Sequence, residues 1–339
     1  MRVLLTGGAG YIGSHTAVEL AGAAHEVVVF DDLSATSAVA VERIRELAAA
    51  DVPFVKIDVT DREAVAAAIA DTGPFDAIIH LAARKAIGES VAKPLEYYFN
   101  NINSTLVMLE MLSRFDIPTF LFSGTGTVYS EQADLPFVET SRTSIDLPNP
   151  YSKSKRICEE IMRDYSLTEP DKRLIGLRYF NPIGAHPSGR IGEDPHGIPN
   201  NLMPIVARVG SGKLPQVSIF GRDYDTDDGT ALRDYIHVVD LARGHLAAIE
   251  HARPGLEFFN LGTGRPSSVL ELIAAFEAAS GIHIPTVDAP RRPGDVQATY
   301  CLPDKAAEKL GWRAELDVVQ ACRDYWRWQE NNPGGYDGN

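Results

Sequence analysis

The sequence predicts an α/β fold: a doubly wound parallel sheet followed by a smaller mixed α/β C-terminal lobe. Three observations carry that expectation. Through the first half of the 339-residue chain, short apolar runs of strand length alternate with runs of helical pattern. A glycine cluster, Gly7-Gly8-Ala9-Gly10-Tyr11-Ile12-Gly13, follows the first strand-like run and opens the first helical one. From about residue 181 the texture turns rich in Pro, Gly, Asn and Asp.

Taken in order, strands are expected at 3–5, 26–30, 54–57, 77–80, 120–122 and 174–177, and helices at 11–20, 41–50, 63–70, 95–115 and 150–167. Thr60 with Glu63 has capping-box spacing ahead of the third helix, and Ser268 with Glu271 ahead of a later one that stops at Gly281. A helical insert is expected from about 201 to 209, and residues 235–262 look again like sheet-and-helix material. The expected division is a first domain at 1–180 with 235–262 returning to it, and a second lobe from the rest of 181–339. Residues 331–339 read as a polar, frayed tail. In the helix at 95–115, Leu95, Phe99, Ile102, Leu106 and Leu109 make one apolar stripe, which fits either a deep core helix or an intersubunit face.

Composition removes several function classes. The formal charge of −14 argues against general affinity for DNA, RNA or anionic membranes, while a few local arginines can still hold a small anion. Cys158, Cys301 and Cys322 are odd in number, far apart and form no CxxC, so neither a disulfide framework nor a zinc site is expected. His186, Glu193, Asp194 and His196 share one loop but lack ligand spacing, and no metal is expected there. The apolar start is too short for a signal segment, and no run has membrane-spanning length. A soluble cytoplasmic protein is expected.

Two motifs carry chemistry. Gly8-x-Gly10-x-x-Gly13, with Gly7, suits a dinucleotide pyrophosphate: the glycines permit a tight turn and close approach, and the helix N-terminus presents amide donors. Asp31, ending the second strand, has the spacing of a ribose-binding carboxylate, which favours NAD over NADP. Asp58, after the third strand, is a candidate for the adenine amino group. Tyr151 and Lys155 lie four apart on a predicted helix and share a face. A phenol with pKa near 10 is a poor base at neutral pH, but an adjacent ammonium and an oxidised nicotinamide favour its phenolate. Together the motifs indicate redox chemistry on a hydroxyl group.

With these residues stand longer stretches: VLLTGGAGYIGSHTAVEL, AIGESVAKPLEYYFNN, NPYSKSK, LRYFNPIGAHPSGRIGEDPHGIPNNLMP, DGTALRDYIHVVDLA and APRRPGD. By them the chain resembles the extended short-chain dehydrogenase/reductase family in its nucleotide-sugar epimerase branch, from Met1 to about Trp328. The resemblance implies a Rossmann-type sheet, tightly held NAD, a homodimer and reversible C4 epimerisation of UDP-galactose and UDP-glucose through a 4-keto sugar. It implies Gly7, Gly10, Tyr11, Ile12, Gly13, Asp31, Asp58, Val59, Lys85, Asn100, Tyr151, Lys155 and Tyr179 for the cofactor. For the UDP-hexose it implies Lys85, Thr125, Tyr151, Asn181, Asn201, Leu202, Ser218, Phe220, Arg233, Tyr235, Arg292, Asp295 and Thr299. Tyr151, Lys155 and Thr125 are the implied catalytic set.

Three positions depart from the family's usual pattern. Gly124 and Gly126 flank Thr125, where looseness of the loop is expected. Leu81-Ala82-Ala83-Arg84 precedes Lys85 where an aromatic and a glycine are usual. Thr299 replaces a bulky gate, which implies acceptance of UDP-GlcNAc and UDP-GalNAc as well. A sugar dehydratase is disfavoured because Gly126-Thr127 stand where its acidic pair would be. A catalytically silent NAD-binding regulator needs no Tyr151, Lys155 or Thr125. A 4-epimerase for a pentose or uronic acid stays open.

Overall fold

The computed structural model describes residues 1–195, 197, 199, 201–292 and 294–338; His196 lies outside the described residues. Six strands come first: β1 (Arg2–Thr6), β2 (Glu26–Asp31), β3 (Phe54–Lys56), β4 (Ala77–His80), β5 (Thr119–Thr125) and β6 (Arg173–Tyr179). Between them run α1 (Tyr11–Gly22), α2 (Ala38–Ala48), α3 (Arg62–Thr72), α4 (Ile87–Ala92), α5 (Pro94–Arg114) and α6 (Pro150–Thr168). Then follow β7 (Asn181–Ile183), α7 (Leu202–Gly210), β8 (Val217–Phe220), β9 (Leu232–Arg233), β10 (Tyr235–His237), α8 (Val238–Glu250) and β11 (Gly255–Leu261). The chain ends with β12 (Ser267–Ser268), α9 (Val269–Ser280), β13 (Thr286–Ala289), β14 (Ala298–Thr299), α10 (Asp304–Leu310) and α11 (Val318–Asn331).

Seven parallel strands form one sheet in the order β11-β6-β5-β4-β1-β2-β3. The direction of winding reverses between β1 and β4, the point at which open α/β sheets bind ligands beyond the carboxyl ends of their strands. Every catalytic candidate lies at or beside those ends. Alternate strand residues serve opposite faces. Val3, Leu5, Val29 and Ile79 join Ala17, Leu241 and Trp312 on one side. Leu4, Val28, Phe30 and Ile78 join Met108, Phe120 and Met162 on the other. Both layers are fully closed to water, so most of the stabilisation from apolar burial lies here, about 1.5–3 kcal/mol per large side chain. The later residues build a separate core from Met203, Val206, Leu272, Phe276 and Tyr325, with small mixed sheets around it.

Residues 255–261 form the edge strand of the large sheet beside β6, whereas 235–237 pair with β7 in a separate two-stranded sheet. The Ser268–Glu271 capping box forms in full, and Gly281 ends that helix at φ 72°. The Thr60 cap does not: Asp61 caps α3 by accepting from Ala64 N, while Thr60 instead donates to Asp58 Oδ1. An aspartate directly before the first turn outcompetes the threonine one residue further out. The short helix α4 was not expected, because six residues are too few to show a period.

The tail is not frayed. Asn332 and Tyr336 are buried, Tyr336 packs on Trp328 at 4.8 Å, and Arg43 of α2 lies over both rings. Arg43 also donates to Asn332 Oδ1 at 2.6 Å, and Tyr336 N donates to Asp194 at 2.8 Å. One aromatic among polar residues was the signal that composition alone concealed. The α5 stripe faces outward at Leu95, Phe99 and Leu106, which are 81, 66 and 47% exposed, so the deep-core reading is excluded. The buried face is the adjacent one, with Tyr97, Met108 and Met111.

Candidate active site

The glycine cradle is set by close backbone approach. Gly7 has φ +69°, and a Cβ there would stand 2.6 Å from Ala82 N. A Cβ on Gly13 would stand 2.3 Å from Gly7 O, so α1 begins against the loop that precedes it. Asp31 ends β2 beside this loop, nearly buried, with Oδ2 accepting from Ala9 N at 3.1 Å and Oδ1 from Leu33 N at 2.9 Å. Burial raises its pKa, and the two amide bonds oppose that rise. A cradle that a Cβ would fill, with a carboxylate at its rim, fits a dinucleotide. Gly10, Ile12 and Val59 flank the same edge, and Tyr11 ties it to the second lobe by donating to Gly184 O at 2.7 Å. Asp58 is exposed, its Oδ1 held by Thr60 N and Oγ1 at 2.8 Å. Asn100 of α5 is half-buried.

The proton-transfer group forms where β5 meets the N-terminus of α6. Asn149 caps α6 by accepting from Ser152 N, and Pro150 opens the helix, which fixes Tyr151 in its first turn. Tyr151 lies beside Thr125, the last residue of β5; burial raises the phenol's pKa and the Thr125 hydroxyl lowers it. Lys155 is 3% exposed and donates to Ser123 O at 2.8 Å and Ser123 Oγ at 3.0 Å. Burial lowers its pKa to about 8. Ser123 was missed as its partner, since nothing in the sequence links the two. The expected lowering of the Tyr151 pKa by the ammonium does not appear: desolvation dominates at both groups. Tyr179 is buried, its hydroxyl 2.5 Å from His245 Nε2. His245 Nδ1 faces Leu241 O, so Nε2 accepts the phenolic proton.

The expected looseness around Thr125 is absent. Gly124 lies within β5, and a Cβ there would stand 2.8 Å from Leu177 O. A Cβ on Gly126 would meet the Phe180 ring at 3.0 Å. Both glycines are required by tight packing against β6 and its continuation, not by flexibility. The unusual Arg84 pairs with Glu96 at 3.2 Å, while its backbone is pinned both ways by Asn101. Lys85 reaches Glu193 at 3.4 Å, which links the β4 loop to the loop after β7.

The second lobe gathers the remaining candidates. Arg233 on β9 pairs with Asp295, and Thr299 on β14 lies beside Arg233 in the same small sheet. Arg292 stacks over Phe220 at 3.9 Å, and Ser218 shares strand β8 with that ring. Asn181 donates to Asp234 O at 3.3 Å; Tyr235 is buried beneath it on β10. Asn201 is exposed at the N-terminus of α7, directly before half-buried Leu202. Among the described residues no group of three His, Cys, Asp or Glu is placed to hold a metal, and no helix is long and apolar enough to cross a membrane.

Comparison with known proteins finds relatives over the full length of the chain. The UDP-glucose 4-epimerase of Bacillus subtilis (strain 168) is 49% identical over 342 residues, covering 99% of each chain. The crystal structure of UDP-glucose 4-epimerase from Bifidobacterium longum in complex with NAD+ and UDP has a TM-score of 0.94 at 46% identity, covering 99% of this chain and 100% of that one. The UDP-glucose-4-epimerase from Stenotrophomonas maltophila, solved with NAD and formylated UDP-arabinopyranose, has a TM-score of 0.95 at 43% identity, covering 98% of this chain and 99% of that one. Residues 3–262 match the sequence pattern of the NAD dependent epimerase/dehydratase family, and the chain belongs to that family.

Proposed function

We propose that the protein inverts C4 of UDP-hexoses, interconverting UDP-galactose and UDP-glucose through a 4-keto sugar. The observation that carries this reading is Tyr151 set beside Thr125 where β5 meets α6, with Lys155 buried one turn on and held by Ser123. NAD, when bound, supplies the hydride acceptor and the later hydride donor. Gly7, Gly10, Gly13 and the amides opening α1 would hold its diphosphate, Asp31 a ribose, and Asp58 with Val59 the adenine side. Tyr151 takes the proton of the 4-hydroxyl and returns it when C4 is reduced. Thr125 donates to the oxygen that carries the charge at each stage. Lys155, anchored by Ser123, places a positive charge under the same region.

The uridine diphosphate is the fixed handle and the hexose the part that turns. Arg233 and Arg292 would hold the two phosphates by charge-assisted hydrogen bonds. Phe220 offers a flat face, and Asp295 an acceptor for ribose hydroxyls. Asn181, Asn201 and Lys85 face the remaining edge. Thr299 leaves room beside C2, so the acetylated pair UDP-GlcNAc and UDP-GalNAc is included. Residues 1–180 with 235–262 form the cofactor lobe, and the rest of 181–339 the sugar-nucleotide lobe. The outward apolar stripe of α5, with Val91 and Leu167 also exposed, supports a homodimer built on α5 and α6. The acidic chain and its cysteines without a disulfide fit a cytoplasmic setting.

Proton NMR of the anomeric signals tests this with purified protein, UDP-galactose and no added NAD. UDP-glucose should accumulate to equilibrium, and in a parallel tube UDP-GalNAc should yield UDP-GlcNAc. A 4-keto-6-deoxy product, or no product even with NAD added, would overturn the reading. Turnover of the plain pair alone would overturn only the part assigned to Thr299.

A further inference from the structure

Beside Thr125 lies a short chain of hydroxyls, from buried Ser152 to exposed Thr127, that the site as described above does not use. Ser152 Oγ, on a residue with no exposed surface, donates to Thr127 Oγ1 at 2.8 Å. Thr127 Oγ1 is 3.1 Å from Thr125 Oγ1, and Thr127 N donates to that same Thr125 oxygen at 3.2 Å. We propose that Thr127 and Ser152 are positioning residues that bias the Thr125 hydroxyl to act as a donor toward Tyr151 and the sugar 4-oxygen. The inference rests on the role just given to Thr125.

A hydroxyl has one proton and two lone pairs. The buried Ser152 proton has Thr127 Oγ1 as its partner, and leaving it unpaired would cost the desolvation of the group. Thr127 Oγ1 thus accepts from Ser152, and a hydroxyl that accepts becomes a stronger donor, which favours donation of its own proton to Thr125. Thr125 Oγ1 then accepts twice, from Thr127 O–H and Thr127 N–H, and both lone pairs are filled. Its own proton is then left for Tyr151, which the first turn of α6 places beside it. A donor fixed before the reaction stabilises the phenolate and the sugar oxyanion without reorienting at the moment of proton transfer. The single 3-10 turn at Gly126–Val128 brings Thr127 back over Thr125, and Gly126 permits that turn to lie on Phe180.

Steady-state turnover of UDP-galactose by four variants of the full-length protein decides the matter. Thr125→Val should lower kcat strongly. Thr127→Val keeps shape and the backbone N–H but removes the hydroxyl; kcat should fall about three- to tenfold, the size of one hydrogen bond, with KM within about twofold. Thr127→Ser should restore kcat, and Ser152→Ala should lower it about threefold with KM again unmoved. Wild-type turnover by Thr125→Val would sink the assignment of Thr125 and this inference with it. A slow Thr125→Val beside an unimpaired Thr127→Val would sink the inference alone. A loss in Thr127→Val that Thr127→Ser does not restore, or one confined to KM, would mean that Thr127 only fills space. Were Thr127→Val unable to fold, unchanged kcat in Ser152→Ala would overturn the proposal.

Discussion

The two halves of the site are built on opposite plans. On the cofactor side, Lys155, Asp31 and Thr125 are at least 92% buried, and each polar atom is held by backbone or by a neighbour on the same sheet. On the sugar-nucleotide side, the charged groups satisfy one another: Arg233 pairs with Asp295, and Arg292 is parked on the ring of Phe220. The first plan suits a ligand that stays, because a preformed site needs no rearrangement to hold it. The second suits a ligand that comes and goes, because half-exposed pairs are worth about 1 kcal/mol or less and open cheaply.

The largest effect that separates the halves is expected from Tyr151→Phe. It deletes the hydroxyl assigned to take the proton and leaves the ring in place. Turnover of UDP-galactose should fall about 10²- to 10⁴-fold. Binding of UDP, measured by calorimetry, should change less than about twofold, since Tyr151 belongs to the other half. Turnover within tenfold of the parent would show that another group takes the proton.

That asymmetry also governs what was legible in the sequence. The parallel sheet and its helices could be read because buried strands are continuous apolar runs and the helices between them are long enough to show a period. Gly7, Gly10 and Gly13 could be read because only glycine fits so near the Gly7 and Ala82 backbones. Ser123 as the anchor of Lys155, and Thr127 with Ser152 beside Thr125, could not. Those pairings join a strand end to a helix start across 25 to 32 residues, and hydroxyls carry no periodic signal. The tail failed for a related reason: Tyr336 finds its partners, Gly192 and Arg43, only after both lobes exist. Gly124 and Gly126 were misread as freedom, where the tertiary neighbours Leu177 and Phe180 had used up the space.

Acid should break the cofactor half first. His15 in α1, His80 in β4 and His245 in α8 are buried, and desolvation lowers their pKa values to about 3, 3 and 4. The unfolded chain protonates each imidazole near pH 6.5. Their contribution to stability is thus complete above about pH 6.5 and is lost as pH falls toward the folded values, at about 1.4 kcal/mol per pH unit for each. Urea unfolding at pH 7, 6 and 5 should show a loss approaching about 4 kcal/mol per unit below pH 6 for the three together. Hydrogen exchange at pH 5 should rise in the large sheet before it rises in the core around Phe276. Equal stability at pH 7 and pH 5 would contradict the neutral, buried state of these rings.

The smallest effect separates two ion pairs that look alike on paper. Arg178–Glu159 lies under the sheet with side chains 3 and 1% exposed, and the guanidinium meets both carboxylate oxygens at 2.9 Å. Arg233–Asp295 lies in the sugar-nucleotide half with side chains 17 and 26% exposed. Removing one charge from the first leaves the other stranded in a dry interior, so Glu159→Gln should cost about 3–5 kcal/mol in urea unfolding. In the second, water reaches whichever partner is left, and Asp295→Asn should cost less than about 1 kcal/mol. Asparagine keeps an acceptor oxygen for a ribose hydroxyl and frees Arg233 for phosphate, so UDP affinity by calorimetry should stay within about threefold. If Asp295→Asn unfolded as readily as Glu159→Gln, Arg233–Asp295 would be a fixed strut, and the sugar-nucleotide half would be as rigid as the cofactor half.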